Sequence, residues 1–423
     1  MTRKLATITT IASISPIPGA DRIVAVTMTT NNWTCVAGRD EFKVGDKAVY
    51  FEIDSFLPKE ERYKFLEGRA NKTMNGIDGY RLKTMRLKGQ LSQGLVMPID
   101  KFGYTPTTNA QFDNSIADGT DVTELLGIQV YEPPKDYSQG EAKGPFPYFI
   151  SKTDQERIQN IRGFDMFKLF DHTFEVTEKL DGSSITMYYN RIDVSVKSGD
   201  YSENSFGVCS RNEELKRPEE GKVSTPWRMA DKYHIEYRLT RYCKENNRLL
   251  ALQGEMCGPK VQGNPLGLRD VEFFVFDIYD IAKGRYVQAQ ERYEILEKLN
   301  SIIPDPNTYP FPSFNLIQHV PIIWKEEKIY PDLLTLERAL QSVQELAIEK
   351  SKEPEYQGVL MDDTIWPAFL DNIVRQIARD LLFTAEGKTY TNSRDREGLV
   401  YKSTLDSMIS FKVINDVHLL KED

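Results

Sequence analysis

The chain has little of what builds disulfide frameworks, metal clips or membrane spans. Among its 423 residues are only four cysteines, Cys35, Cys209, Cys243 and Cys257, far apart and without a CxxC pair. That excludes a zinc ribbon and a disulfide-stapled secreted scaffold, and it points to the cytoplasm or another reducing intracellular compartment. The four histidines, His172, His234, His319 and His418, form no HxxxH-like cluster and read as structural or surface residues. No run approaches the ~18 apolar residues that a membrane span needs, so no membrane partner is expected. Internal repeats and long low-complexity tracts are missing too. With 40% hydrophobic and 11% aromatic residues the chain is not disordered, and its length calls for two or more domains.

An excess of positive charge is also lacking. The net charge of -9 excludes a protein coated all over with nucleic acid. Residues 1 to 125 hold 16 Lys and Arg against 15 Asp and Glu, and the remainder 38 against 48. Any polyanion must therefore meet a local basic groove. The opening MTRKLATITTIASI is basic and free of acids, as a transit peptide is. Thr and Ser interrupt its apolar residues and Pro16 follows, so it reads as a first strand instead.

What is there begins with short strands. Leu5 to Ile14, Arg22 to Met28, Trp33 to Val36, Lys47 to Ile53, Gly79 to Leu87 and Gly94 to Pro98 alternate with Gly and Pro turns. Five or six such strands predict a small β-barrel, an OB-fold or an SH3-like barrel, over residues 1 to 125. The Pro- and Gly-rich stretch from Tyr131 to Pro147 makes 126–150 a linker. In 151–423, strand-like runs (Phe174 to Val176, Ser184 to Tyr189, Val194 to Val196, Leu249 to Gly254, Phe273 to Tyr279) alternate with helical patterns (Arg228 to Glu245, Ala289 to Leu299). Apolar spacing of three and four over 333–350 and 368–383 predicts amphipathic helices packed on a sheet. The fold class is α+β.

The chemistry starts at Glu178-Lys179-Leu180-Asp181-Gly182, just after the strand-like Phe174-Glu-Val-Thr. A lysine beside acids and backbone groups can act as a nucleophile if its amine is neutral, which neighbouring cations or a bound metal favour. Glu255 then stands between glycines, Phe276 precedes Asp277 in an apolar strand, Glu397 opens Glu-Gly-Leu-Val-Tyr-Lys402, and Lys412 follows Phe411. Each alone is an ordinary strand residue. The order KxDG, GE, FDI, EGxVxK, FK is not.

In that order the chain resembles the covalent nucleotidyltransferase superfamily of RNA ligases, DNA ligases and mRNA capping enzymes. Its β-rich front domain makes it most similar to the Deinococcus-type and Naegleria-type ATP-dependent RNA ligases. ISPIPGADRI, YRLKTMRLKGQLSQGLVMPI and FPYFISKTDQERIQNI share the likeness, and only about 300 to 390 has no placed motif. The resemblance implies an N-terminal OB domain followed by a nucleotidyltransferase domain of antiparallel sheets with flanking helices. It implies that Lys179 attacks the α-phosphate of ATP and becomes lysyl-AMP. Glu178 would border the adenine, Phe276 stack on it, Arg211 contact the ribose, and Glu255 serve the ribose or a metal-bound water. Asp181, Glu255 and Glu397 would hold Mg²⁺ or Mn²⁺ through water, and Lys402 and Lys412 meet the phosphates. Water-mediated carboxylate contacts suit Mg²⁺, which keeps much of its hydration shell. One departure stands out: the last motif commonly reads KxK, and here Ile414 replaces the second lysine.

Arg81, Lys83, Arg86 and Lys88 are four cations in eight residues and the candidate RNA-backbone contact of the front domain. On one strand, Arg81 and Lys83 share a face, as do Arg86 and Lys88. Tyr80 reads equally as a stacking or a barrel residue. The expected activity is RNA end joining in RNA repair, sealing a 5′-phosphate to a 3′-hydroxyl, with no obligate protein partner evident. DNA ligases and capping guanylyltransferases, the alternatives, typically place an OB domain after the last motif, and 11 residues follow Lys412. A further alternative, an inactive nucleic-acid-binding protein, gives no reason to keep Lys179, Asp181, Glu255 and Glu397 together.

Overall fold

The computed structural model describes residues 3–105, 110–112, 115–132, 142–161, 163–190, 206–303, 315–329, 341 and 365–420. The expected strand at Val194 to Val196 and, apart from residue 341, the expected helix at 333–350 lie outside them.

In the front domain, alternation sets the faces. Ile23–Met28 buries every second residue, Val24, Val26 and Met28, and Thr34–Gly38 buries Cys35 and Ala37. The long first strand, Ala6–Pro16, pairs through Ala6 to Thr10 with Lys47–Phe51 and through its second half with Ile23–Met28. A register shift between Ile11 and Ser13 lies at the start of the second half. One strand thus serves two sheet segments, curling the order 95–98, 47–51, 6–16, 23–28, 34–38 into a barrel-like wall. A second sheet of Gln129–Val130, Ser55–Pro58, Ile77–Arg81 and Asn71–Met74 closes over Tyr63, Tyr80 and Leu82. Tyr80 is therefore a core residue. Leu126 and Ile128 join the same core, ahead of Ala142–Pro145, which pairs with Glu213–Leu215.

The expected single strand Gly79 to Leu87 is two strands in different sheets, Ile77–Arg81 and Thr84–Leu87. The second forms a hairpin with Gln90–Gln93, turning at Lys88 and Gly89, both with positive φ. Arg81 and Arg86 consequently sit on different sheets.

The rest of the chain is built on two sheets. One runs 142–145, 213–215, 206–209, 183–189, 250–257, 272–280, 285–286, with 318–319 added on 272–280. The other runs 156–157, 410–414, 398–403, 173–179, 322–328. Pairing is antiparallel except at two short joins, 156–157 with 410–414 and 318–319 with 272–280. Their central strands are buried along most of their length, which explains unbroken apolar runs such as Phe273-Phe-Val. Helices Thr225–Lys232, Ile235–Asn246 and Ala289–Ser301 share a core with the first sheet, and Ile365–Ala385 covers the second through Ile373, Val374 and Ile377. The expected helix Arg228 to Glu245 is broken at His234, whose φ of +50° is left-handed.

The two domains share a core. Ile414 and Leu419 lie among Ile11, Val24, Met28, Trp33 and Tyr50 of the barrel. Trp33 donates its indole N–H to Asn160 at 2.6 Å, and Asn160 donates to Glu52 at 3.2 Å. All four cysteines are free and buried, and among the described residues no helix is long and apolar enough to cross a membrane.

Candidate active site

Lys179 ends the strand Thr173–Lys179, opposite Gly398, so strand pairing brings Glu397 beside it from 218 residues away. The Lys179 Nζ donates to Glu397 Oε1 at 2.5 Å. Burial alone pushes this amine down, but Glu397, Glu255 and Asp181 outweigh it and hold the amine above its ordinary value. Lys179 rests as an ammonium. Lys412 is close enough that the positive charge of Lys179 pushes its amine down.

Two glycines permit the close approach. A Cβ on Gly182 would strike the carbonyl of Met256 and come within 2.7 Å of Glu255 Cγ, and one on Gly398 would strike the carbonyl of Val413. Ser184 pairs with Glu255, which sets that carboxyl beside the KxDG turn. Burial pushes Glu255 upward; Lys179 and Arg211 pull it back. Arg211, exposed just after Phe206–Cys209, also favours the ionised form of Asp154.

Glu178 is buried, and its Oε2 accepts the Tyr390 N–H at 3.0 Å. Its Oε1 is buried without a partner, and burial pushes the carboxyl up to about 7. An unmet buried acceptor beside Lys179 suits a ligand that brings a donor. Phe276 is the extra residue of a bulge. Gln253 pairs with Asp277 and Gly254 with Val275, so Phe276 has no partner in the ladder and its ring lies half-buried near Leu180, Leu266 and Val320.

Lys402 lies elsewhere in the cleft. Its Nζ donates to the Phe276 carbonyl at 2.6 Å and pairs with Asp277 at 2.7 Å. Behind it Arg292 bonds Glu175 and, at 3.0 Å, His319, and Tyr293 donates to Glu175. This buried network ties the two sheets together beneath the Phe276 ring. Lys412 donates to Asp154 at 3.0 Å. Ile414, two residues along the same strand, lies in the core shared with the barrel, which accounts for an apolar residue where the motif commonly has lysine.

Sequence reasoning missed two residues. Arg157 pairs in register with Lys412, reaches Asp54 at 3.6 Å and keeps its Nη1 buried without a partner. It is a second cation next to Lys412, and its only sequence signal is its place in FPYFISKTDQERIQNI. His418, expected to be structural or at the surface, lies instead at the carboxylates, with Nδ1 3.9 Å from Asp181 Oδ2 and Nε2 3.8 Å from Glu397 Oε1.

Of the basic stretch, Arg81 is engaged: it pairs with Asp54 at 2.9 Å and lies over the Tyr131 ring. Lys83 is half-buried, whereas Arg86 and Lys88 are exposed on the 84–93 hairpin. That hairpin reaches the other domain, where Gln93 donates to Asp416 at 3.2 Å.

Two family models match the chain: an RNA ligase model over residues 172–414 and an OB-fold domain model over residues 5–99. No curated protein matches. Among solved structures, a mutant of Naegleria gruberi RNA ligase with AMP and Mn is 36% identical, covering 99% of each chain with a TM-score of 0.71. A mutant of that ligase with ATP and Mn is 36% identical with the same coverage and a TM-score of 0.70. The ligase with PPi is 35% identical, covering 100% of this chain and 99% of that one, with a TM-score of 0.70. With an RNA ligase model matched over residues 172–414 and its length matched end to end by a 36% identical ligase, this chain belongs to the RNA ligase family.

Proposed function

We propose that the protein is an ATP-dependent RNA ligase that works through a lysyl-AMP intermediate. The observation that carries this reading is the Lys179–Glu397 pair, with Asp181 and Glu255 around it and the open Glu178 acceptor beside it. Lys179 Nζ, once neutral, attacks the α-phosphorus of ATP; the N–P bond forms as the bond to pyrophosphate breaks. AMP then passes to the 5′-phosphate of an RNA end. The 3′-hydroxyl of the second end attacks that phosphate, and AMP leaves.

Glu178 and Phe276 hold the adenine, Arg211 the ribose, and Lys412 with Arg157 the phosphates. Lys402 supports the pocket from behind by fixing Phe276 and Asp277. Asp181, Glu255 and Glu397 fit a divalent ion held through water, Mg²⁺ or Mn²⁺: they are oxygen donors clustered around Lys179. Such an ion neutralises charge building on the phosphoryl oxygens. Glu397 Oε1 accepts from Lys179, so a cation held at Glu397 would compete with the ammonium for that carboxylate. RNA meets the exposed Arg86 and Lys88 on the hairpin that bridges the domains, with Arg81 and Lys83 at its base. A DNA nick ligase or a capping guanylyltransferase is the less supported reading. The four free cysteines fit a reducing compartment.

The test is incubation with α-labelled ATP or GTP and Mg²⁺ or Mn²⁺. Label from ATP should survive denaturation and vanish in Lys179→Ala; label from GTP would move the reading to capping chemistry, and none from either would end it. Sealing of nicked duplexes with RNA or DNA on the 3′-hydroxyl side then separates the ligases. Arg86→Ala with Lys88→Ala should keep the lysine label while sealing falls, more steeply as salt rises. Equal loss of both steps would remove the RNA assignment.

A further inference from the structure

A cavity of about 150 Å³ lies where the barrel meets the helix Ile365–Ala385, and none of the Lys179 cluster lines it. Its walls come from three places: Thr27 and Asn32 of the barrel, Gln90 and Gln93 of the 84–93 hairpin, and Arg375 and Arg379 of the helix. Polar side chains outnumber apolar ones in the lining, so the space suits a polar guest, with room for one small ring.

Two polar groups on these walls are unmet, in opposite senses. Asn32 donates its side-chain N–H to the Ile161 carbonyl at 3.2 Å and its backbone N–H to the Gln159 carbonyl at 2.7 Å, which fixes the amide. Its Oδ1 is buried and has no partner among the described residues. Arg375 is engaged: it pairs with Asp371 at 2.7 Å and donates to the carbonyls of Met28 and Asn31, tying the helix to the barrel. Arg379, one turn on, makes no ion pair or hydrogen bond among the described residues, and the charge of Arg375 presses against it. The acid on the wall, Asp416, already accepts from Gln93 at 3.2 Å. The cavity therefore offers a spare cation and a fixed, open acceptor.

A guest that answers both brings an anion and a hydrogen-bond donor. A ribonucleotide does so with its phosphate and its 2′-hydroxyl, whereas a DNA sugar has no such donor. The cavity also adjoins the exposed basic edge, since Gln90 and Gln93 belong to the hairpin that carries Arg86, and the charge of Arg86 reaches Asp416. Resting on the ligase reading, we propose that the cavity seats one nucleotide of the bound RNA, with Arg379 on its phosphate and Asn32 Oδ1 accepting from its 2′-hydroxyl. Because the Lys179 cluster does not line it, the seat belongs to a nucleotide inside the strand and not to either reacting end.

The experiment is a deoxy scan. Fluorescence anisotropy measures binding of the full-length protein, without ATP or metal, to a nicked RNA duplex and to copies in which a single 2′-deoxynucleotide is moved along the strands. In wild type, one position inside a strand should weaken binding about 5- to 10-fold when its hydroxyl is removed. In Asn32→Ala that position should become indifferent. Arg379→Ala should weaken binding to the all-RNA duplex and lower the slope of log affinity against log salt by about one. A wild-type scan with no sensitive internal position overturns the proposal whether or not a variant folds. So does a position that stays sensitive in Asn32→Ala, or an unchanged salt slope in Arg379→Ala. Lysine adenylylation of the wild type is measured in parallel. If lysyl-AMP forms and the scan is flat, the inference about the cavity fails alone; if no lysyl-AMP forms with Mg²⁺ or Mn²⁺, the ligase reading itself fails.

Discussion

Glu178 carries one bonded oxygen and one bare one, and its burial holds the proton up to about pH 7 against an ordinary 4.5. The sign of the stability effect follows: a proton held more tightly by the folded chain stabilises it fully below about 4.5, and that contribution is lost as pH rises through about 7. Glu178→Gln keeps the shape and stays neutral. Between pH 5 and 8 wild type should therefore lose roughly 2 kcal/mol relative to the variant, read from urea unfolding at both values. Parallel losses would show that Glu178 is ionised in the folded state. At this scale the motif residues were legible, because Lys179, Asp181 and Glu397 sit at strand ends and turns whose letters the chemistry constrains. Arg157 and His418 were not, since each reaches the site only through tertiary placement: Arg157 by a parallel pairing with Lys412, His418 by a short helix anchored in the other domain. The state of Lys179 was illegible as well. Its motif says only that the lysine can attack once neutral, and the carboxylates the fold gathers hold it as an ammonium.

The bulge in the strand Glu272–Asp280 is the element that most directly shapes the proposed nucleotide pocket. In an unbroken ladder Phe276 would pair with Gly254 or Gln253; the extra residue turns the ring out of register and leaves it half-buried. Phe276→Ala should raise the KM for ATP in lysine adenylylation roughly 10- to 100-fold, the equivalent of ~1–3 kcal/mol of lost base stacking. Phe276→Tyr should stay near wild type. An unchanged KM in the alanine variant would remove the stacking role. The strand itself could be read from its apolar run, but its bulge could not, because pairing register is a property of two strands. The break at His234 was hidden for another reason. Left-handed backbone there is held by packing on both sides, with Tyr233 and Ile235 buried, and no glycine or proline announces it. By contrast, Ala289–Ser301 appears almost as its spacing predicts, since its apolar stripe faces one uninterrupted surface.

Across the whole molecule, the strand Ser410–Ile414 is where the two domains become one. Lys412 faces the site while Ile414, 3% exposed, lies among barrel side chains. Restoring the commoner motif with Ile414→Lys should therefore not add a phosphate contact. It should bury an uncompensated ammonium and lower stability by about 3 to 5 kcal/mol, read from urea unfolding. A variant as stable as wild type with faster adenylylation would show that the barrel does not need that side chain. The net charge sharpens at this scale too: the acids that make the chain -9 include Asp181, Glu255 and Glu397, gathered at the site, while the exposed Arg86 and Lys88 stand on the bridging hairpin. The shared core has one more consequence. Swinging the barrel away would bring Ile414, Leu419 and the barrel residues around them into water, at roughly 25 cal/mol for each Å² of apolar surface. A joint glued in this way does not work as a hinge. On the proposed ligase reading the barrel is then a fixed saddle rather than a clamp, and the fit comes from the polymer, whose two ends bend into a seat that is already shaped.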